Sequence, residues 1–211
     1  MRATLDKVLS GIGLLLAVVL VVAGGLMTWA NVFIGSQVEE QFSAQDIVMP
    51  TQEAIDGQVA SGGITEENAK ELEKFAGEKL DNGPAARAYA DHYILAHMNG
   101  SGAALNDGEP VTYEEASSIG REKMAAVAEN ADATEEEVAE AQAWMDLRES
   151  LFQGNTLRGL LLYGFAFATM GTIAGYAAIA AYVGAALFLV LGLLGLAHSR
   201  KVAHAEARAE A

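Results

Sequence analysis

Cysteine is absent from this 211-residue chain, and bases are scarce, with 13 Lys and Arg against 28 Asp and Glu. Without cysteine there is no disulfide framework, zinc ribbon or thiol chemistry. Without a basic surplus there is no Lys/Arg-rich face to meet nucleic-acid phosphates, and the acidic part has no attraction to anionic lipid headgroups. Charge of either sign is missing from residues 8–38 and again from residues 159–199. Yet the chain is 52% hydrophobic and carries a formal −15. A soluble domain seldom combines those values; segregation along the chain explains both. Residues 36–156 hold 25 acids and 7 bases, a formal charge of −18. That length suffices for one core-bearing domain.

Catalytic patterns are missing as well. There is no GxGxxG, no P-loop and no GxSxG elbow; Ser43, Ser61, Ser101, Ser117 and Ser118 stand without a partner set. His92 and His97 are the only histidines of the acidic middle. Five residues apart, they lie about 140° apart around a helix, whereas helical metal ligands need i, i+3 or i+4. The reading is one histidine at a core edge and one at the surface. The carboxylates Glu66/Glu67, Glu114/Glu115 and Glu135–Glu137 gather at helix starts, where the macrodipole favours them without any acid–base role. Tyr89 and Tyr93 read as a core row. No catalytic, metal or cofactor site is expected, and the chain is not expected to be an enzyme.

What is present is lipophilic. Residues 8–30 form an apolar run broken only by Ser10, Thr28 and glycines, long enough to cross about 30 Å of hydrocarbon. Trp29 and Phe33 stand where an interfacial belt falls. Arg2 and Lys7 precede the run and Glu39 and Glu40 follow it, so the positive-inside rule puts the N-terminus in the cytoplasm. A cleaved signal peptide is the rival reading, but the run exceeds an ordinary h-region and Thr28-Trp29-Ala30 is a poor cleavage site. The second run, 159–199, is too long for one span and barely enough for two. Arg200, Lys201 and Arg208 after it place the C-terminus inside too, which requires an even number of spans. The expected organisation is a cytoplasmic N-terminus at 1–7, a transmembrane helix at 8–34, an acidic helical extracytoplasmic domain at 35–156, an apolar interfacial or packing helix at 157–174, a second span at 175–197 and a cytoplasmic tail at 198–211. A third span through 157–174 stays open. The fold class is all-α.

Small residues mark a helix-packing seam. Gly171 and Gly175 have GxxxG spacing, Ala180 and Gly184 repeat it, and Ala177, Ala181 and Ala185 form a parallel row. Lipid gives helices no hydrophobic reason to associate, so close backbone approach is a main source of attraction. The partner is either the other span or a second protomer. No ionisable side chain lies in either span, which argues against a pump or transporter.

In the acidic middle the first helix is expected to continue outward until Pro50. Thr65 opens a helix with Leu72, Phe75 and Leu80 on one face, closed at Asp81-Asn82-Gly83-Pro84. Tyr89, Tyr93 and His97 recur on the next, closed at Asn99-Gly100, with a Gly/Ser/Asn/Asp-rich loop over 99–110. Thr112 with Glu115 and Thr134 with Glu137 read as capping boxes that open two further helices. Strand signals are weak.

Gln45–Pro50, Ala88–Ile94, Thr112-Tyr113, Gly154–Leu162 and Gly171–Gly175 resemble a family of small actinobacterial two-span membrane proteins with a helical extracytoplasmic domain. The likeness is patchy but runs over most of the chain. It implies location and layout and no activity. Some members carry the label of aromatic ring-opening dioxygenases, which the histidine spacing above does not support. The Gly/Asp-rich stretch Gly102–Glu109 departs from the shorter loop of the family.

The expectation is therefore a multi-pass plasma-membrane protein with both termini cytoplasmic and no enzymatic role. It would act as an accessory or scaffold component, in contact with the lipid bilayer and with a homo-oligomeric or membrane-complex partner, and not with nucleic acid. The alternative is an extracytoplasmic ligand-binding or sensor module that passes its state to a partner through its spans.

Overall fold

Threonine and asparagine caps set the helix starts. Thr51, Thr65, Asn82 and Thr112 each hold extended backbone while the side-chain oxygen accepts an amide of the first turn. The computed structural model describes residues 2–209, with side chains described over 4–204. Its elements are α1 (Arg2–Ser43), α2 (Gln52–Ser61), α3 (Glu66–Leu72) running into a 3₁₀ turn (Glu73–Phe75), α4 (Gly83–Ala88), a π-helical turn (Tyr89–Ile94), α5 (Leu95–Leu105), α6 (Tyr113–Glu129) and α7 (Glu135–Ala209). The described residues form no strand; one isolated antiparallel bridge joins Val48 to Lys79. The fold is all-α, and α1 and α7 are each long and apolar enough to cross a membrane. Arg2 and Arg208, two of the basic residues that orient the chain in the reading above, have side chains outside the described residues.

The chain divides into two units. One holds the chain up to Gln37 and from Thr169 onward; the other is Val38–Ala168. The second has a buried cluster in which Met49, Ile55, Leu72, Leu80, Ala86 and Ala90 are all but sealed from solvent. Fully burying one such aliphatic side chain stabilises a fold by about 1.5–3 kcal/mol. Phe42 near the end of α1 and Leu161 on α7 belong to the same cluster. Phe42 lies where a Cβ on Gly164 would stand, so only glycine lets the ring onto α7. A further cluster gathers Val111, Ala116, Trp144, Leu147 and Leu151, with Met98 packed against both. At its edge the Tyr113 hydroxyl is held below its ordinary pKa, first by the Ser117 hydroxyl and then by the Arg148 guanidinium.

Several expectations need correction. α1 ends at Ser43, seven residues before Pro50, in a turn where Asp46 adopts φ 50. α2 was not anticipated at all. The helix opened by Thr65 does not reach Gly83: it tightens into the 3₁₀ turn and stops at Ala76, and the left-handed residue is Gly77, at φ 73. Leu80 instead stands on an extended segment beside Ile47, whose carbonyl takes its amide. Gly83 is the first residue of α4, capped by Asn82, and a Cβ there would come 2.5 Å from that of Ala168. The loop expected over 99–110 begins only at Asn106, because Asn99 and Gly100 stay helical and Gly102 is buried against the Val111 backbone. Residues 157–174 are not a separate helix but part of the unbroken α7.

Both expected capping boxes are present. Glu115 accepts the Thr112 amide at 2.8 Å and its hydroxyl at 2.7 Å; Glu137 accepts the Thr134 amide at 2.8 Å and its hydroxyl at 3.1 Å. Those bonds favour the ionised carboxylate and lower both pKa values, the backbone amide contributing most. A depressed folded-state pKa adds stability above the unfolded value, about 4.3, and that stability is lost as pH falls through the folded value. Glu115→Gln with Glu137→Gln should therefore melt below the unmodified protein at pH 7. The gap should close as pH falls below about 4, and thermal melts followed by Trp144 fluorescence would show it. A gap that stays constant with pH would assign the loss to something other than these charges.

Candidate functional site

In the apolar unit, α1 and α7 run antiparallel, and a seven-residue repeat of small or short polar residues forms their contact. On α1 it is Ser10, Ala17, Gly24 and Asn31; on α7 it is Gly171, Ala178, Ala185, Gly192 and Ser199. All are buried except Asn31, which is half-buried. Seven-residue spacing keeps one face on the partner through a left-handed wrap. Gly192 admits Leu14, whose Cδ2 lies 2.9 Å from the point a Cβ would occupy; Gly24 admits the Tyr182 ring at 2.8 Å. The Asn31 side-chain amide donates to the Gly171 carbonyl at 2.8 Å, and Gly175 leaves room for it. The hydroxyls of Thr28 and Tyr182 meet at 3.2 Å, and Thr28 also donates to the Gly24 carbonyl.

Gly171 and Gly175 thus lie at a helix seam, against Ile34 and Asn31 of the same chain. Gly184 is half-buried beside Leu20. Ala180 is exposed and faces away from α1. The four predicted packing residues therefore divide, three on the seam and one off it. Sequence reasoning missed Asn31, Tyr182 and the α1 row. A usable signal existed, since Asn31 is the one side-chain amide between residues 8 and 36, and Ser10, Ala17, Gly24 and Asn31 are evenly spaced.

In the other unit the segment of greatest chemical density is the π-helical turn. The amide of Leu95 reaches back to the Ala90 carbonyl, an i→i+5 bond; such turns recur at functional positions. Tyr89 and Tyr93, half-buried against the core cluster, stack with centroids 4.8 Å apart, and Tyr93 meets the His97 ring at 4.3 Å. Burial, and then the neighbouring Tyr93, push the Tyr89 hydroxyl above its ordinary pKa. The half-buried His92 ring holds Asn68 through Nδ1 at 2.9 Å, while exposed His97 uses Nδ1 on the Tyr93 carbonyl. The two histidines are thereby separated, each with its own partner. Among the described residues no three His, Asp or Glu side chains converge as metal ligands.

Asp91 points between two arginines. Arg158 of α7 donates through Nη2 at 2.7 Å, and Arg87 approaches to 3.7 Å while its guanidinium lies 5.1 Å over the Phe165 ring. Asp91 and Arg158 are about a quarter exposed, so this pair is less screened than a surface pair. It joins the π-helical turn to α7. Asp91→Asn should cost about 1.5 kcal/mol of domain stability, because Arg158 keeps its charge and loses the countercharge of the carboxylate, an amide oxygen being the weaker acceptor. Urea titration would measure it; a loss under 0.3 kcal/mol, roughly the measurement error, would show the pair to be solvated. A cleft of about 250 Å³ opens beside the aromatic row, between Tyr93, His97, Met98, Ser101, Leu151 and Gly154. It offers aromatic faces and two kinds of hydrogen-bonding group, the His97 imidazole and the Ser101 hydroxyl.

Comparison of the chain with family models, with curated proteins and with solved structures found no match.

Proposed function

We propose that this is a non-enzymatic accessory or scaffold protein of the plasma membrane, anchored by α1 and α7. Both termini are cytoplasmic and the acidic domain stands on the extracytoplasmic side, where it holds a partner protein. The observation that carries the reading is the outer face of the helix pair. Leu15, Val18, Val22 and Leu26 on α1, and Leu187, Leu191 and Leu194 on α7, all point away from the seam and are more than half exposed. An apolar surface of that extent is stable against lipid and costly against water. Lys7 at one end, with Arg200 and Lys201 at the other, supports a cytoplasmic side for both ends, which leaves the middle on the other side of the bilayer. Because α1 itself fills Gly171 and Gly175, those glycines are taken within one chain, and partner contacts fall on other faces.

The cleft beside Tyr93 and His97 favours a second reading, an extracytoplasmic ligand-binding or sensor module. The absence of cysteine makes a labelling test clean. Ser61→Cys in intact spheroplasts should react with a membrane-impermeant maleimide, and His204→Cys should react only after lysis. The reverse pattern would end both readings.

A further inference from the structure

One exposed face of α7 changes character within the Val38–Ala168 unit. Asp146 and Glu149 lie on it, and about three to six turns further on the same face carries Leu160, Tyr163 and Phe167. The three apolar side chains are 58%, 69% and 55% exposed. The two carboxylates accept only from the side-chain amides of Gln142 and Gln153, and neither pairs with a lysine or arginine among the described residues.

Lipid does not account for the whole of this face. On α1 the charge-free run ends at Glu39 and Glu40. Phe42 packs at Gly164 in the same unit, so antiparallel pairing sets those glutamates at about the height of Phe167. Leu160 and Tyr163 stand one to two turns further out, about 6–10 Å beyond the last level at which hydrocarbon is compatible with α1. A second copy is a poor cover. Copies in one membrane share their orientation, so like faces would meet, and each brings a domain of formal charge −18.

We propose that this face is a docking surface for a helix of a second membrane protein, one with an apolar stripe that continues above the bilayer into lysines or arginines. The inference rests on the scaffold reading and supplies the chemistry of the partner. Apolar residues at three- and four-residue spacing fit a helix laid alongside α7, and the unpaired carboxylates select a cationic extension.

The test uses the full chain in nanodiscs of phosphatidylcholine, with two synthetic helical peptides that share a leucine face, one ending in lysines and the other in glutamates. The lysine peptide should bind. Leu160→Ser with Tyr163→Ser, and separately Asp146→Lys with Glu149→Lys, should each weaken it at least about tenfold, whereas Glu66→Lys with Glu67→Lys, elsewhere on the domain, should leave it unchanged. All these sites are exposed, and unchanged Trp144 fluorescence confirms the fold. Equal binding of the glutamate peptide, indifference to the Leu160 and Tyr163 changes, or equal loss from the distant charge reversal would overturn the proposal. So would a dimer in sedimentation that Tyr163→Ser dissolves, or a photocrosslinker at Tyr163 that captures only phosphatidylcholine. If Ser61→Cys is labelled from outside while no peptide binds, the docking inference falls and the scaffold reading stands; wrong-sided labelling sinks the scaffold reading itself.

Discussion

Leu72→Ala is expected to lower the stability of the acidic domain by about 3 kcal/mol. Leu72 is wholly buried at the end of α3, in the cluster that also holds Ile55, Leu80, Ala86 and Ala90. Truncation removes transfer free energy and leaves a cavity, and the surroundings collapse only in part. Collapse is harder here because the cluster members on α4, Ala85, Ala86 and Ala88, are alanines, which have no side chain to swing into the gap. Leu72→Met, which nearly conserves volume, should cost less than about 1.5 kcal/mol, and the contrast separates a cavity effect from a failure of α3 to end properly. The chain holds two tryptophans, so Trp29→Phe leaves Trp144 as the reporter for urea unfolding in detergent. Trp144 sits in the neighbouring cluster, and Met98 bridges the two, so one transition should report both. An alanine variant within 1 kcal/mol of its parent, well under the usual range, would mean that α3 is not part of the cooperative core.

The sequence carried the architecture because its strongest signals are local or compositional. Charge-free runs 8–38 and 159–199 survive as two long helices, and three of the four threonine caps were readable from spacing alone. Failures follow where a distant contact decides. Asn82-Gly83-Pro84 satisfies two rules at once, glycine closing a helix or asparagine opening one. The second prevails because the residue after the cap must come within contact of Ala168, which only glycine permits. In α2 Ile55 is the only buried residue, too few for a periodic signal. The π-helical turn leaves no mark in spacing or composition: the four-residue recurrence of Tyr89, Tyr93 and His97 reads as an ordinary helix. The seam shows the limit most clearly. GxxxG spacing found Gly171 and Gly175, but many small residues on α7 have some such spacing, and only the positions of Ser10, Ala17, Gly24 and Asn31 on α1 choose the phase that excludes Ala180.

That choice of phase gives the second large expected effect. Gly171→Ile with Gly175→Ile should separate α1 from α7 within the apolar unit. A Cβ at 171 would stand 3.1 Å from Ile34 Cγ2, and one at 175 would stand 3.0 Å from Asn31 Nδ2. Complete isoleucine side chains go well beyond those points. The Asn31 bond to the Gly171 carbonyl would break as well, a loss of about 0.6 kcal/mol for an interhelical bond in lipid, and overpacking adds about 1–3 kcal/mol at each site. Together these approach all the attraction that two helices without a hydrophobic drive possess. Because the native chain has no cysteine, Ala17→Cys with Ala185→Cys introduces one reporter pair. The repeat that faces Ser10 to Gly192 and Asn31 to Gly171 puts Ala17 and Ala185 at the same register between them, both buried. Oxidation in lipid should cross-link the pair almost completely in the parent and at least about tenfold less in the double isoleucine variant. Ala180→Ile, on the exposed side of α7, should cross-link like the parent. If Ala180→Ile breaks the cross-link while the two glycine replacements spare it, the seam lies on the other small-residue phase, and the exposed flank of α7 assigned here to lipid is instead its contact with α1.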